Sequence, residues 1–287
     1  MFLSDIVGQQ EVKTRLLKMV NENRLPHALL FNGVDGSGNL ATAVAFAQYL
    51  FCTNKQANDS CGACPSCIKT SKLVHPDLHF VFPIIKSKYV KSSADLIKEF
   101  REAFLEAPYL NINDWCDFLG AENKQPIIPV EESGNIIREL SYTSYEGLYK
   151  MMIIWQPEKM NTEAANRLLK VLEEPPEQTI FMLVCNNPDA LLSTIISRVQ
   201  QIPFVRLTEN EIAEGLIKKF EVTADNAKQA AFLCDGNFNE AIKQLTQNDE
   251  QLSFLEHFRS FMNLAVKFNG EKAIKWVDEN AANGREK

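Results

Sequence analysis

Residues 27–42 read HALLFNGVDGSGNLAT, and this stretch constrains the fold more than any other. An apolar run from His27 to Phe31 has the composition of a buried strand. It feeds a loop in which Gly33 and Gly38 are spaced like the two glycines of the phosphate-cradling pattern G-x-x-x-x-G-K-[ST], with Gly36 between them. Leu40 to Leu50 then reads as a helix. Alone, the loop would equally suit an ordinary glycine-rich turn. Strand before and helix after are the context that the phosphate loop requires. The chemistry of that loop is nevertheless missing, because Asn39 and Leu40 stand where lysine and Ser/Thr belong.

Four more short runs rich in Val, Ile and Phe predict strands: HFVFP at 79–83, KMMIIW at 150–155, TIFMLVC at 179–185 and VQQIPF at 199–204. Between the third and fourth strands, TEAANRLLKVLEE reads as a helix stopped by Pro175 and Pro176. Strands alternating with helices imply a parallel sheet covered on both faces. Residues 86–125 break the alternation and read as a polar helical insertion with Trp115 and Cys116 near its end. After Pro203 only helical patterns remain, at 208–220, 223–234 and 237–246, which places a domain boundary near 206. The stretch 249–287 is also helical in pattern and ends at ENAANGREK without a domain end, so the native chain is expected to continue.

A chain of 287 residues has room for a well-buried core and more than one domain. Its 45% hydrophobic and 23% charged content are ordinary for a soluble globular protein. No uncharged apolar run approaches the roughly 18 residues of a membrane span, and the N-terminus carries Asp5 and Glu11 rather than a secretory signal. A net charge of −7 argues against a surface coated in phosphate contacts, though a local basic groove is compatible with it.

Seven cysteines without a signal peptide point to a reducing, cytoplasmic compartment. Four of them, Cys52, Cys61, Cys64 and Cys67, form C-x8-C-x2-C-x2-C. Each C-x2-C step lets two thiolates meet one ion, and four thiolates close a tetrahedral zinc shell with no position left for substrate. Such a site is structural, and here it would pin the loop after the 40–50 helix. An iron–sulfur cluster, unliganded thiols and a nucleic-acid-reading finger are the alternatives. The last is disfavoured because only Lys55, Lys69 and Lys72 lie nearby. Cys116, Cys185 and Cys234 read as small buried hydrophobes, and His27 and His75 as structural.

A working P-loop ATPase also needs a strand ending in acidic residues, to hold magnesium and polarise water. Strand 150–155 is in the right place but ends Trp155–Gln156. The lysine, the hydroxyl and both carboxylates are therefore absent together. One cation stands out: Arg198 in STIISRV, whose planar fork could reach a phosphate held elsewhere or simply form a surface ion pair.

In combination, DIVGQQEVKTRLLKMVNENRLPHALLFNGVDGSG, the four cysteines, HPDLHFV, SYTSYEGLYKMMIIW, NRLLKVLEEPPEQTIFMLVCNN and LLSTIISR resemble bacterial clamp-loader subunits of the AAA+ superfamily, components of DNA polymerase III. The resemblance covers most of residues 1–248. It implies an α/β P-loop AAA+ domain at 1–205 with an inserted zinc module (52–67), a small all-α lid at 206–248, and the beginning of an all-α collar at 249–287. It further implies Zn²⁺ on Cys52, Cys61, Cys64 and Cys67. Arg198 would be an arginine finger offered to the ATP site of a neighbouring subunit. The partners implied are ATPase subunits of the tau/gamma type, a delta subunit, the sliding clamp and primer-template DNA, in a hetero-oligomer with no membrane. Active members carry a sensor arginine in a G-x-x-R pattern; here Gly236-Asn237-Phe238-Asn239 ends in asparagine. With that fifth loss, ATP is not expected to be hydrolysed by this chain. Val199 replaces the cysteine usual after the serine–arginine pair, and the 86–125 insertion is longer than the family's usual connection. An active tau/gamma-type ATPase, or a zinc-stabilised nucleic-acid-binding module, are the other functions these motifs would admit.

Overall fold

The computed structural model describes residues 1–121, 124–141, 144–246 and Met262. Helix α1 (Gln10–Asn21) precedes strand β1 (Ala28–Asn32), which runs through the glycine loop into α2 (Asn39–Phe51) and α3 (Pro65–Ser71). Strand β2 (Leu78–Val81) leads to α4 (Ile97–Glu106), α5 (Ile112–Phe118) and α6 (Val130–Ser141). Then follow β3 (Lys150–Trp155), α7 (Thr162–Glu173), β4 (Thr179–Cys185), α8 (Ser193–Ile196) and β5 (Gln200–Pro203). Helices α9 (Glu209–Phe220) and α10 (Ala224–Leu233) and a helical stretch at 238–246 close the described chain. All five expected strands form, each within a residue or two of its predicted ends.

The sheet order is β2-β3-β4-β1-β5 and every pairing is parallel, with Leu30 opposite Leu183 and Met152 opposite Phe181. Strands β3 and β4 are buried along their whole length, as near-continuous apolar runs must be when both faces of a parallel sheet are covered. One face packs Leu30, Met152, Ile154, Phe181 and Leu183 against Ile136, Leu168, Leu172 and Ile195 of helices α6, α7 and α8. Val199 lies buried in the same cluster. On the other face runs α2, all thirteen of whose residues are buried.

The insertion departs from its expected polar character. Its helices form, but Phe100, Ala103 and Phe104 of α4 and Trp115 of α5 are buried. Phe100 stacks on Phe82 at 4.2 Å and meets Trp115 edge-on at 5.7 Å and Trp155 at 5.8 Å. The Trp115 indole N–H donates to the Pro83 carbonyl at 2.8 Å. Paired backbone hydrogen bonds between Ile84 and Ile127 close the neck of the insertion. Phe100 and Phe104 are one helical turn apart, so they share a face, while charges on the opposite face dominate the composition. Burying aromatics of this kind contributes about 1.5–3 kcal/mol each, which makes the insertion part of the core.

Residues Met1–Ala241 form one compact unit, so α9 and α10 pack within it. A second unit begins at Ile242, and most of the collar expected at 249–287 lies outside the described residues. Among the described residues, no helix is long and apolar enough to cross a membrane.

Candidate functional site

The glycine loop between β1 and α2 is folded as the pattern predicts, with Gly36 and Gly38 at φ of 73° and 85°. Side chains are excluded there by space as well as by backbone angle. A Cβ on Gly38 would lie 2.9 Å from Cε1 of Tyr109, and one on Gly36 would overlap the Asn237 amide. Asn39, at the lysine position, is buried beneath the loop. Its Nδ2 donates to the Gly33 carbonyl at 3.2 Å and to Oδ1 of Asn186 at 2.9 Å, tying the loop to the end of β4. Asn186 in turn donates its own amide to Asp35 of the loop. Leu40, at the Ser/Thr position, is buried. Where a phosphate-binding loop turns its polar groups outward, these are bonded to one another.

Three further segments close on the loop. Gln9 donates from Nε2 to the carbonyls of Ser37 at 3.2 Å and Val205 at 2.6 Å. Tyr109, between α4 and α5, is only 4% exposed, and its hydroxyl accepts the Val7 N–H at 2.8 Å. The Tyr109 ring lies 4.7 Å from that of Phe238, and the Lys219 ammonium sits 5.0 Å over it. Burial holds the Tyr109 hydroxyl protonated, well above the ordinary phenol range, and pushes the Lys219 ammonium below the ordinary lysine range. Finally, the Phe238 N–H donates to the Gly36 carbonyl at 3.3 Å, and Asn239, at the sensor position, donates its amide to Asp114 of α5.

At the end of β3, Trp155 and Gln156 are buried where a magnesium-holding pair would stand, and Gln156 takes a φ of 56°. The carboxylate nearest in sequence, Glu158, accepts the Asn186 and Asn187 N–H groups at 2.8 and 3.0 Å. Burial, together with that carboxylate, pushes the Cys185 thiol far up, so it stays neutral. Cys116 and Cys234 are likewise buried with raised thiols, in keeping with their reading as apolar fillers.

The four clustered cysteines converge. Their sulfurs all lie within 4.8 Å of one another, against the ~3.8 Å edge expected of four thiolates about one zinc at 2.3 Å. Cys52 caps the end of α2, Cys64 caps the start of α3, and the N–H groups of Cys61, Cys64 and Cys67 each point at the preceding cysteine's sulfur at 3.3–3.5 Å. Burial opposes ionisation of Cys64, but the N–H groups of Thr53 and Cys67 pull its thiol down to about 6. Burial pushes Cys67 up, the opposite of what a bound cation would do. Donor set and convergence fit a closed tetrahedral metal site. Gly62, at φ 70°, lets this knuckle press on the Phe2 ring, and Asp59 accepts the N–H groups of Leu3 and Ser4. The module therefore anchors the N-terminus as well as the loop after α2.

Arg198 follows α8 at the surface. Its guanidinium pairs with Glu173, the last residue of α7, at 2.7 Å, and donates to the Thr194 carbonyl at 2.8 Å. The sequence reading did not single out Tyr109, Asp114, Gln9 or Asp77. Asp77 accepts the N–H groups of Tyr145, Glu146 and Gly147. Burial would raise its pKa, yet those three donors outweigh it and hold the carboxyl below the ordinary range. His75 is buried, stacked on Phe51 at 3.9 Å and structural as expected.

The family model described as DNA polymerase III, delta subunit, matches residues 8–208. DNA polymerase III subunit delta' of Bacillus subtilis (strain 168) is 32% identical over 244 residues, which cover 84% of this chain and 61% of that one. DNA polymerase III subunit tau of the same strain is 26% identical over 255 residues, 87% of this chain and 38% of the relative. The match thus spans about three-fifths of the first relative and two-fifths of the second. Among solved structures, the Thermotoga maritima RuvB Holliday junction branch migration motor overlays 96% of this chain and 70% of its own at a TM-score of 0.47 and 15% identity.

Proposed function

From the premise that this chain belongs to the DNA polymerase III delta-subunit family of clamp-loader proteins, we propose that it acts as a non-catalytic, delta'-type subunit of a bacterial replicative clamp loader. In that role it neither binds nor hydrolyses ATP productively. It assembles with tau/gamma-type ATPase subunits and a delta subunit in the cytoplasm, and through that assembly helps place the sliding clamp on primer-template DNA. Residues 206–248 serve as its lid, and Cys52, Cys61, Cys64 and Cys67 hold a structural Zn²⁺.

The observation that carries this reading is the closed loop: the position of the phosphate-binding lysine is held by Asn39, whose amide is spent on Gly33 and Asn186. What the chain offers instead is Arg198. It is exposed enough to move, and its present partner is a surface carboxylate, Glu173. A triphosphate on a neighbouring subunit carries more charge than one glutamate and would draw the guanidinium away, to neutralise charge developing on the transferred phosphoryl. Removing a finger that acts in trans costs about 10³–10⁵ in turnover.

The test is clamp- and DNA-stimulated ATP hydrolysis by a loader reconstituted with the full-length subunit, wild-type or Arg198→Ala. Turnover should collapse while the complex still forms. Unchanged turnover would reduce the subunit to scaffold, and magnesium-dependent ATP binding by the isolated wild-type chain would make it an ATPase of the tau/gamma kind.

A further inference from the structure

We propose that Tyr109 and Asp114 are a built-in occupant of the nucleotide cleft, a fixed part of the chain that bridges the phosphate loop to residues 219–239 as a bound nucleotide would. This rests on the reading that the subunit works without ATP and says what fills the space instead.

The bridge has an apolar and a polar half. Tyr109 is sandwiched: Gly38 of the phosphate loop lies against one part of its ring, Phe238 is 4.7 Å away, and Lys219 caps it at 5.0 Å. Its hydroxyl accepts from Val7, so the same side chain also reaches the segment before α1. Tyr109 thus sets a flat ring beside the phosphate loop, touched both by the N-terminal segment and by Lys219 and Phe238 beyond residue 206. The polar half is Asp114, whose carboxylate accepts the Asn239 amide. An anion from within the chain thus faces the sensor position, where an arginine would otherwise answer a phosphate. Asparagine there suits a hydrogen bond to one carboxylate, without the surplus cation that a triphosphate would need.

The occupant is also rigid. The Ile84–Ile127 neck closes the segment that carries it, and Phe100 and Trp115 on either side are locked into the core by Phe82 and Trp155. Asn111 caps α5 with hydrogen bonds to the Asn113 and Asp114 N–H groups at 2.8 and 2.9 Å, which fixes where Asp114 stands. A nucleotide would have to displace a buried tyrosine whose hydroxyl is bonded to the Val7 N–H. The consequence is a lid whose orientation does not follow the ATP cycle of the other subunits.

Restoring the loop separates occlusion from lost chemistry. Binding of ATPγS with magnesium is measured by calorimetry on three full-length proteins: wild-type, Asn39→Lys/Leu40→Thr, and that pair combined with Tyr109→Ala. Wild-type should not bind, and the triple should bind at least ~10-fold tighter than the double, because the competent state is no longer excluded. A folded triple variant that binds no better than the double overturns the occupant. Binding by wild-type would instead overturn the parent reading. Should the triple variant fail to fold, amide exchange in Tyr109→Ala decides the matter. Exchange at Val7 and 236–241 should rise ~10-fold or more while β1 and β4 stay protected. Unchanged or uniformly raised exchange overturns the proposal.

Discussion

The cysteine knuckle and the phosphate loop are both tight turns beside α2, one at each end, and they have met opposite fates. In the knuckle all four sulfurs converge on one point, within 4.8 Å of each other, and backbone N–H groups point at three of them. In the phosphate loop the backbone bends as the motif demands, but Asn39, Asn186 and Asp35 bond to one another, and Tyr109 and Asn237 lie against the glycines. Backbone shape is maintained by glycines at positive φ and by sheet packing. Ligand chemistry depends on polar groups being left without internal partners. The first can outlast the second.

Breaking the knuckle should have the larger effect. If the four thiols hold the proposed zinc, Cys64→Ser should release it and lower Tm markedly, because a structural zinc contributes on the order of 10 kcal/mol in small zinc domains and would here tie α2, α3 and the N-terminus together. Metal content by atomic absorption alongside thermal melting checks it, and a zinc-free protein with unaltered Tm would refute the site. Opening the loop should cost less. Asn39→Ala leaves the Gly33 carbonyl and the Asn186 side chain short of a buried donor, a loss of about 1–3 kcal/mol in urea unfolding. If it is neutral, the loop is not held by that amide.

The smallest effect serves as a control away from both turns. His79, on the β2 edge, has its pKa lowered chiefly by burial, with the Glu139 carboxylate 3.7 Å away pulling the other way. A lowered imidazole pKa favours the folded state above the ordinary value of 6.5. That contribution is lost as pH falls below 6.5, where the unfolded chain takes up the proton first. Wild-type Tm should therefore fall slightly between pH 7.5 and 5.5. His79→Gln should fall less, and equal falls would remove His79 as a cause.

Sequence legibility followed distance along the chain. Strands β3 and β4 could be read residue for residue, since a buried parallel strand is a local apolar run bounded by turn residues. The cysteine site could be read because its ligands lie within sixteen residues and their spacing sets the geometry. The insertion could not. Its polar composition hid a face bearing Phe100, Phe104 and Trp115, and its bonds to Val7 and Asn239 join residues 102 and 125 positions apart.

By itself, then, the amino-acid sequence determined the strand–loop–helix order, the loss of lysine, hydroxyl and carboxylates, and the convergence of four thiols, because each depends on residue type at short spacing. What occupies the space left beside the phosphate loop was decided by tertiary structure alone. A tyrosine in an irregular segment carries no local signal of the surface it will cover. Only the closing of the sheet, the insertion and the later helices around Gly38 brings that ring against the loop.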